Sequence, residues 1–424
     1  MQGEVRKALH FKTGEIRAIK KISKSEIGKE NWSLVLREIE ILRSLDHPNI
    51  VKILEFFESV THFLIVMEYC PGKAIDKRKL SERNLSEMMT QILEALFYLH
   101  KKKITHLDLN PRNIICKKNK IKIIGFGLSR KLNSKIRDYE PWENCLFLSP
   151  EVLSGKFSLK SDVWAAGVVL FKLVTGKLPF SGDSPEEMLK AISNTNWLKI
   201  LKKKASPELT EFLSAMLQIS EKQRADCAQL LQHPWLLQVP KFQSNQRNIE
   251  LIDNIKSPQF SDKLQRGLFY FFVHNLVSGE EHEQFSETFK LLDRNRDGEL
   301  SKDDFLLGMK TFGKHLSQQK IMGKFRLLDA DKTGSLSYMD FVAGAFSKQT
   351  FLQGSRLKRL FRSIDHGKSG KVSVSELSAL FRNFEFISQQ EIAKAFKSVD
   401  IHTSGKIGFC QFQKFMGKMA TKKF

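Results

Sequence analysis

The chain has 424 residues, 41% of them hydrophobic and 10% aromatic, too many for one ordinary domain and too apolar for a disordered or low-complexity protein. Lys+Arg of 69 against Asp+Glu of 47 gives a formal net charge of +22, which draws anionic partners without choosing among acidic proteins, phosphates, lipid headgroups and nucleic acid. Five scattered cysteines with no C-x-x-C pair speak against a disulfide framework and a zinc site, and no apolar run reaches the ~20 residues that cross a bilayer. Met1 is not followed by a basic-then-apolar leader, so a cytoplasmic protein without a transmembrane segment is expected.

The chain begins with a strand-like hairpin, residues 5–10 and 16–22 about a Gly14-containing turn, followed by a helix over residues 32–45 and mostly helical patterns to about residue 240. The lysine runs at 101–103, 117–120 and 202–204 are short and separated, and read as solvated faces. No basic face interleaved with aromatics accompanies them, so no nucleic acid is expected as a partner. Residues 241–260 carry Gln, Asn, Ser and Pro with little periodicity and read as a linker. Beyond it Leu264, Leu268, Phe269, Phe272, Val273 and Leu276 share one helical stripe, with Lys263 and Arg266 beside it. Such a stripe suits either reversible capture by a neighbouring sensor groove or permanent packing on a neighbouring domain; adjacency to the repeats that follow favours capture.

Those repeats begin at Asp293, Asp329, Asp365 and Asp400, a period of 35 to 36 residues, each with acidic and glycine positions of the D-x-[DN]-x-[DN]-G type between amphipathic helical flanks. Four helix-loop-helix units make two pairs. Calcium wants oxygens at loop positions 1, 3, 5, 7, 9 and 12 and a glycine at 6. The first loop fits, with Asp293, Asn295, Asp297, the Glu299 carbonyl, Ser301 and Asp304 around Gly298. The second offers Asp329, Asp331, Thr333, Ser335 and Asp340 around Gly334. Aspartate at position 12 is a carbon shorter than glutamate, which sets the expected affinity near ~10⁻⁵ M. The third keeps Asp365, Ser369 and Glu376 but has Gly367 at position 3, and is marginal. The fourth has His402, Gly408 and Gln411 at positions 3, 9 and 12, and reads as a structural partner for the third.

Ala18-Ile19-Lys20, Glu38, His106-Leu107-Asp108 with Asn113, Ser149-Pro150-Glu151, Asp162-Val163-Trp164 with Gly167, Arg224 and His233-Pro234-Trp235 occur in an order and spacing that resembles a protein kinase domain. With the stripe and the repeats, the whole chain resembles the calcium-dependent protein kinase (CDPK) family. The resemblance implies an α+β fold, a two-lobed kinase-like domain with a small β-rich lobe and a large helical lobe, followed by an all-α tandem EF-hand domain. The implied boundaries are 1–237 for the kinase-like domain, 238–278 for linker and junction helix, 279–349 for the first EF-hand pair and 350–424 for the second. It implies Ca2+, ATP and Mg2+ as cofactors, the junction helix 264–276 as an intramolecular partner of the EF-hands, and protein substrates or scaffold partners.

By the same resemblance Lys20 grips the nucleotide phosphates, Glu38 orients it, Asp108 accepts the substrate hydroxyl proton and Asn113 holds a magnesium ion. Gly3, Val5, Ala18, Glu68 and Cys70 complete the nucleotide side, and Leu42, His106 and Phe126 fall where the family stacks an apolar column. Several positions depart from the pattern. Gly125-Phe126-Gly127 stands for D-F-G, Asn110 for a lysine, Leu107 for an arginine, Ala74 for a ribose-binding carboxylate and Asn144 for a threonine. Residues 128–148 contain no threonine, so control by a phosphate on that segment is not expected. Gly3 alone represents the glycine-rich loop, so either the small lobe lacks its first strand or, as the favoured expectation, an upstream segment carrying it precedes Met1. A metal clamp supplies several kcal/mol of transition-state stabilisation, which at ~1.4 kcal/mol per decade is a few orders of magnitude in rate. The expectation is therefore a calcium-regulated kinase-family protein with weak or lost phosphoryl transfer, a pseudokinase switch or scaffold. The alternatives are an active calcium-dependent Ser/Thr kinase, and a calcium buffer with a relict first half.

Overall fold

A computed structural model describes residues 3–11, 13–77, 80–132, 145–202, 204–237, 246–253, 255, 258–260, 263–277, 279–312, 316–329, 331–381, 387–400 and 404–421. Asn144, His402 and most of the threonine-free segment lie outside the described residues. The chain divides into two units, the first mainly Ala18–Gln243 and the second mainly Ser244–Asn295 with Glu299–Phe424.

The hairpin forms as β1 (Glu4–Leu9) and β2 (Ile16–Ser23), turning at Gly14, whose φ of 71° is one that glycine adopts at no steric cost. With β3 (Ile53–Glu58) and β4 (His62–Glu68) it makes a sheet of order β1-β2-β4-β3. The helix Trp32–Arg43 covers this lobe with Val35, Ile39, Ile41 and Leu42. The large lobe is built on the helices Glu82–Lys101 and Lys160–Thr175, the first capped by the Ser81 side chain, which accepts from the Asn84 N–H. Gly167 permits close packing, since a Cβ there would lie 2.9 Å from Leu217 Cδ2. Arg224, fully buried, donates to both oxygens of Glu151 at 2.7 and 3.0 Å. Burial alone would raise the Glu151 carboxyl, but these bonds outweigh it and hold the group below the usual carboxylate range.

In the second unit the four loops pair through short antiparallel bridges, Leu300 opposite Leu336 and Val372 opposite Ile407. The junction helix is Lys263–Leu276, and all six stripe residues are buried in one core with the EF-hand helices. It packs against Tyr338–Ala345 of the first pair and Gly354–Ile364 and Gln389–Val399 of the second. Phe269 and Phe272 each place their rings 5.0 Å from Phe351. The interval read as linker contains a helix, Gln246–Asp253, anchored by Asn248 and Ile252 against the helix Gly279–Leu292. Two buried residues one turn apart give too thin a stripe to register as periodicity; tertiary contact supplies the rest. No helix among the described residues is long and apolar enough to cross a membrane.

Candidate functional site

Lys20 on β2 donates to both Glu38 oxygens at 2.8 Å, and both side chains are largely enclosed, 12% and 3% exposed. Gly3 lies against the same strand, where a Cβ would meet Ile22 Cγ1 at 2.8 Å and Lys20 Cγ at 3.2 Å. Val5 points to solvent at 58% exposure and Ala18 is half-buried. A Cβ on Gly127 would sit 3.5 Å from Glu38 Oε2, so the Gly125-Phe126-Gly127 segment adjoins the ion pair. Phe126 and His106 are fully buried with ring centroids 4.7 Å apart, and Leu42 is buried in the same core.

The loop carrying Asp108 is fixed from beneath. Asp162 accepts from the backbone N–H of His106 and of Leu107, each at 2.9 Å, and its Oδ2 lies 3.0 Å from His100 Nε2. These bonds hold Leu107 at a φ of 62°, a conformation that costs a bulky residue of order 1–3 kcal/mol. Above them Asp108 meets two amides. Asn113 Nδ2 donates to Asp108 Oδ2 at 2.8 Å and to its carbonyl at 2.7 Å, and Asn110 Nδ2 donates to Oδ1 at 2.9 Å. The part played by Asn110 was not visible in the sequence, where it registers only as a missing lysine.

Gly125 adopts a φ of 84°, and a Cβ there would lie 2.5 Å from Asn113 Oδ1 and 2.7 Å from Nδ2. The Asn113 side chain thus fills the room next to residue 125, and no carboxylate stands there. Magnesium demands a near-octahedral set of oxygens, usually with one or two carboxylates. Beside residue 125 stands the Asn113 side chain, whose amide already bonds the Asp108 carboxylate. Residue 125 itself supplies no such carboxylate.

At the hinge the Glu68 side chain turns to Lys122 Nζ at 2.6 Å and the Lys52 N–H at 2.8 Å. Ala74 pairs with Ile115. Burial, and secondarily the Glu68 charge, push the Cys70 thiol up to about 12. Its thiolate fraction at pH 8 is then only about 10⁻⁴. Iodoacetamide at pH 8 is therefore expected to label the exposed Cys410 and spare Cys70. Peptide mass spectrometry checks this; equal labelling of the two would contradict it.

Each calcium loop turns through left-handed residues at positions 4 and 6: Arg296 and Gly298 at φ of 60° and 81°, Lys332 and Gly334 at 59° and 85°, Lys368 and Gly370 at 52° and 72°; Gly405 at 70° is the described one of the fourth. The second loop draws positions 1, 3 and 5 together, with Thr333 Oγ1 3.3 Å from both Asp329 Oδ1 and Asp331 Oδ1, while the Gly334 N–H donates to Asp329 Oδ2 at 3.1 Å. In the first, Asp293, Asp297 and Asp304 are all buried, and Glu299 Oε2 accepts from the Ser335 hydroxyl at 3.0 Å, tying the paired loops together. These two loops fit calcium in donor type, count and turn geometry. Their position-12 carboxylates currently cap helices: Asp304 accepts from the Ser301 N–H and hydroxyl at 3.2 and 2.6 Å, and Asp340 from those of Ser337 at 3.2 and 2.7 Å.

In the third loop both Glu376 oxygens are bonded, Oε1 by the Gly367 N–H at 3.1 Å and Oε2 by the Ser373 N–H at 2.9 Å. Burial pushes that carboxyl up, but these bonds win and hold it below its ordinary range. Asp365 accepts from the Ser369 and Gly370 N–H groups at 2.9 and 2.8 Å. The fourth closes similarly, Gln411 Oε1 accepting from Gly408 N–H at 2.9 Å. Asp365 and Glu376 in the third loop, and Asp400 and Gln411 in the fourth, thus accept from backbone N–H groups of their own loops.

The cleft between a strand-rich and a helical lobe, with a lysine-glutamate pair above an aspartate-bearing loop, defines a protein kinase fold, and the paired loops define EF-hands. The family model "Protein kinase domain" matches residues 1–236, and "EF-hand domain pair" matches 282–346 and 355–417. "Calcium-dependent protein kinase 4" of Plasmodium berghei is 30% identical over 73% of this chain and 62% of its own length. "Calcium-dependent protein kinase 5" of Plasmodium falciparum is 30% identical over 70% of the chain and 55% of its own length, and "Calcium-dependent protein kinase 6" of Plasmodium berghei is 36% identical over 63% and 19%. The chain belongs to the protein kinase family and carries EF-hand pairs behind the kinase domain. It spans 62% or less of the length of these curated relatives.

Proposed function

We propose that this chain is a cytoplasmic calcium-binding member of its family whose kinase unit has weak or lost phosphoryl transfer, so that its output is a calcium-controlled binding surface for protein partners. The observation that carries this reading is Gly125, which offers no carboxylate and whose Cβ position is only 2.5 Å from the Asn113 side chain. Asn110 and Asn113 each donate to one Asp108 oxygen, so a substrate hydroxyl shares the base with two amides. Nucleotide would lie against Lys20, Glu38 and the hinge residues 68–70, with Asn113 the remaining magnesium ligand. Magnesium, when bound, neutralises charge on the phosphates. Calcium would be held by Asp293, Asn295, Asp297, the Glu299 carbonyl and Asp304, and by Asp329, Asp331, Thr333, Ser335 and Asp340; Asp365, Ser369 and Glu376 form a weaker third set.

The alternative is an active calcium-dependent Ser/Thr kinase transferring the γ-phosphate of ATP to proteins, and the enclosed Lys20 to Glu38 pair at 2.8 Å favours it. Transfer from labelled ATP to a basic peptide, with and without calcium, separates the two. Wild type is expected to match its Asp108→Asn variant; calcium-dependent turnover well above that background would establish the active reading instead.

A further inference from the structure

The junction helix Lys263–Leu276 carries a residue outside its apolar stripe that reaches the calcium machinery. The Tyr270 hydroxyl donates to Asp340 Oδ1 at 3.3 Å, and Asp340 is the twelfth residue of the second loop. The other oxygen of that carboxylate is held by Ser337 in a capping box at the start of the helix Tyr338–Ala345. One carboxylate thus serves two protein elements, its own helix through Oδ2 and the junction helix through Oδ1. The first loop has no such arrangement. Asp304 has the matching Ser301 cap, but its Oδ1 faces the Arg294 N–H of its own loop at 3.4 Å.

We propose that Tyr270 is a latch between the junction helix and the second calcium loop: calcium taken by that loop withdraws Asp340 from Tyr270, and the junction helix loses this tie to the repeat. The inference rests on the reading that the second loop takes calcium. The position-12 carboxylate is the ligand that captures the ion with both oxygens, and a carboxylate turned into the loop no longer meets a hydroxyl on a neighbouring helix. Coupling then runs both ways. Whatever the tyrosine gains by holding Asp340, the loop forgoes in calcium affinity, as linkage requires of two partners competing for one group.

Tyr270→Phe tests this, because the ring keeps its place and its stacking beneath the Arg266 guanidinium, 5.4 Å from the ring centre, while the competing donor disappears. Calcium titration by calorimetry is run on the full chain with the first loop silenced by Asp293→Ala, with and without Tyr270→Phe. The expected result is a two- to tenfold tighter second-loop affinity in the Phe variant, about what one hydrogen bond is worth. Faster amide hydrogen exchange over residues 263–276 is expected in calcium-free Tyr270→Phe. A merely structural tyrosine would loosen the helix without tightening calcium. Unchanged or weaker affinity overturns the latch and leaves the calcium reading standing. If the Asp293→Ala chain binds no calcium at its second loop, the reading and the latch fall together.

Discussion

Replacing both Asp293 and Asp329 by alanine is expected to abolish calcium binding in the ~10⁻⁵ M range by the full chain, whereas Asp365→Ala leaves it close to wild type. The two aspartates hold position 1 of the loops that carry an oxygen-bearing side chain at each of positions 1, 3, 5 and 12. Around Asp329, the side chains at positions 3 and 5 are gathered onto one another at 3.3 Å, a cluster of oxygens that gains from a cation in their midst. In the third loop Glu376 is bonded by the Gly367 N–H at 3.1 Å and the Ser373 N–H at 2.9 Å, much as Asp304 and Asp340 are capped in the first two, but position 3 is Gly367 and offers a cation no side-chain oxygen.

The effect is large enough to read in thermal melts. With Kd near ~10⁻⁵ M, calcium at about 1 mM stabilises each competent loop by about 2.7 kcal/mol. That rise on calcium addition is expected to vanish in the double variant and to survive in Asp365→Ala. Comparing each variant with and without calcium cancels the separate cost of losing the Gly334 N–H to Asp329 bond at 3.1 Å. Undiminished calcium stabilisation in the double variant would move the sensor function to the second EF-hand pair.

What the sequence made legible follows from how local the chemistry is. The four loops could be read because each one's turn, donors and flanking helices lie within a contiguous stretch repeated at 35 to 36 residues. The β1 and β2 hairpin could be read because alternation and Gly14 coincide. The helix Gln246–Asp253 could not, since its two anchors find their partners some forty residues on, as where Thr288 Oγ1 meets Asn248 Oδ1. Nor could the fate of the empty position at 125. A sequence shows a carboxylate missing; it does not show that the Asn113 side chain lies beside Gly125 or that Asn110 bonds Asp108. Tyr270 was overlooked for a similar reason: it lies off the apolar stripe, and its partner Asp340 follows 70 residues later.

That filled space decides what restoring the carboxylate would do. Gly125→Asp is expected to leave phosphate transfer at the Asp108→Asn background and to lower the melting temperature of the kinase unit. The new Cβ would stand 2.5 to 2.7 Å from three Asn113 atoms, at a φ of 84° that suits glycine. Overpacking of this kind costs about 1–3 kcal/mol, or roughly 2–4 °C per kcal/mol in a domain of this size. If Asn113 swings away to make room, it abandons Asp108 Oδ2, and Asn110 still holds Oδ1 at 2.9 Å. Position 110 still lacks the cation that would face the moving phosphoryl group. One recovered ligand therefore cannot restore a clamp worth several kcal/mol, since at ~1.4 kcal/mol per decade the remaining defects keep the rate orders of magnitude down. Adding Asn110→Lys to Gly125→Asp frees Asp108 Oδ1 and supplies that cation, so turnover is expected first in the double variant. Labelled-ATP transfer measured across the series checks the order; full turnover from Gly125→Asp alone would mean that Asn110 and the placement of Asn113 impose no barrier.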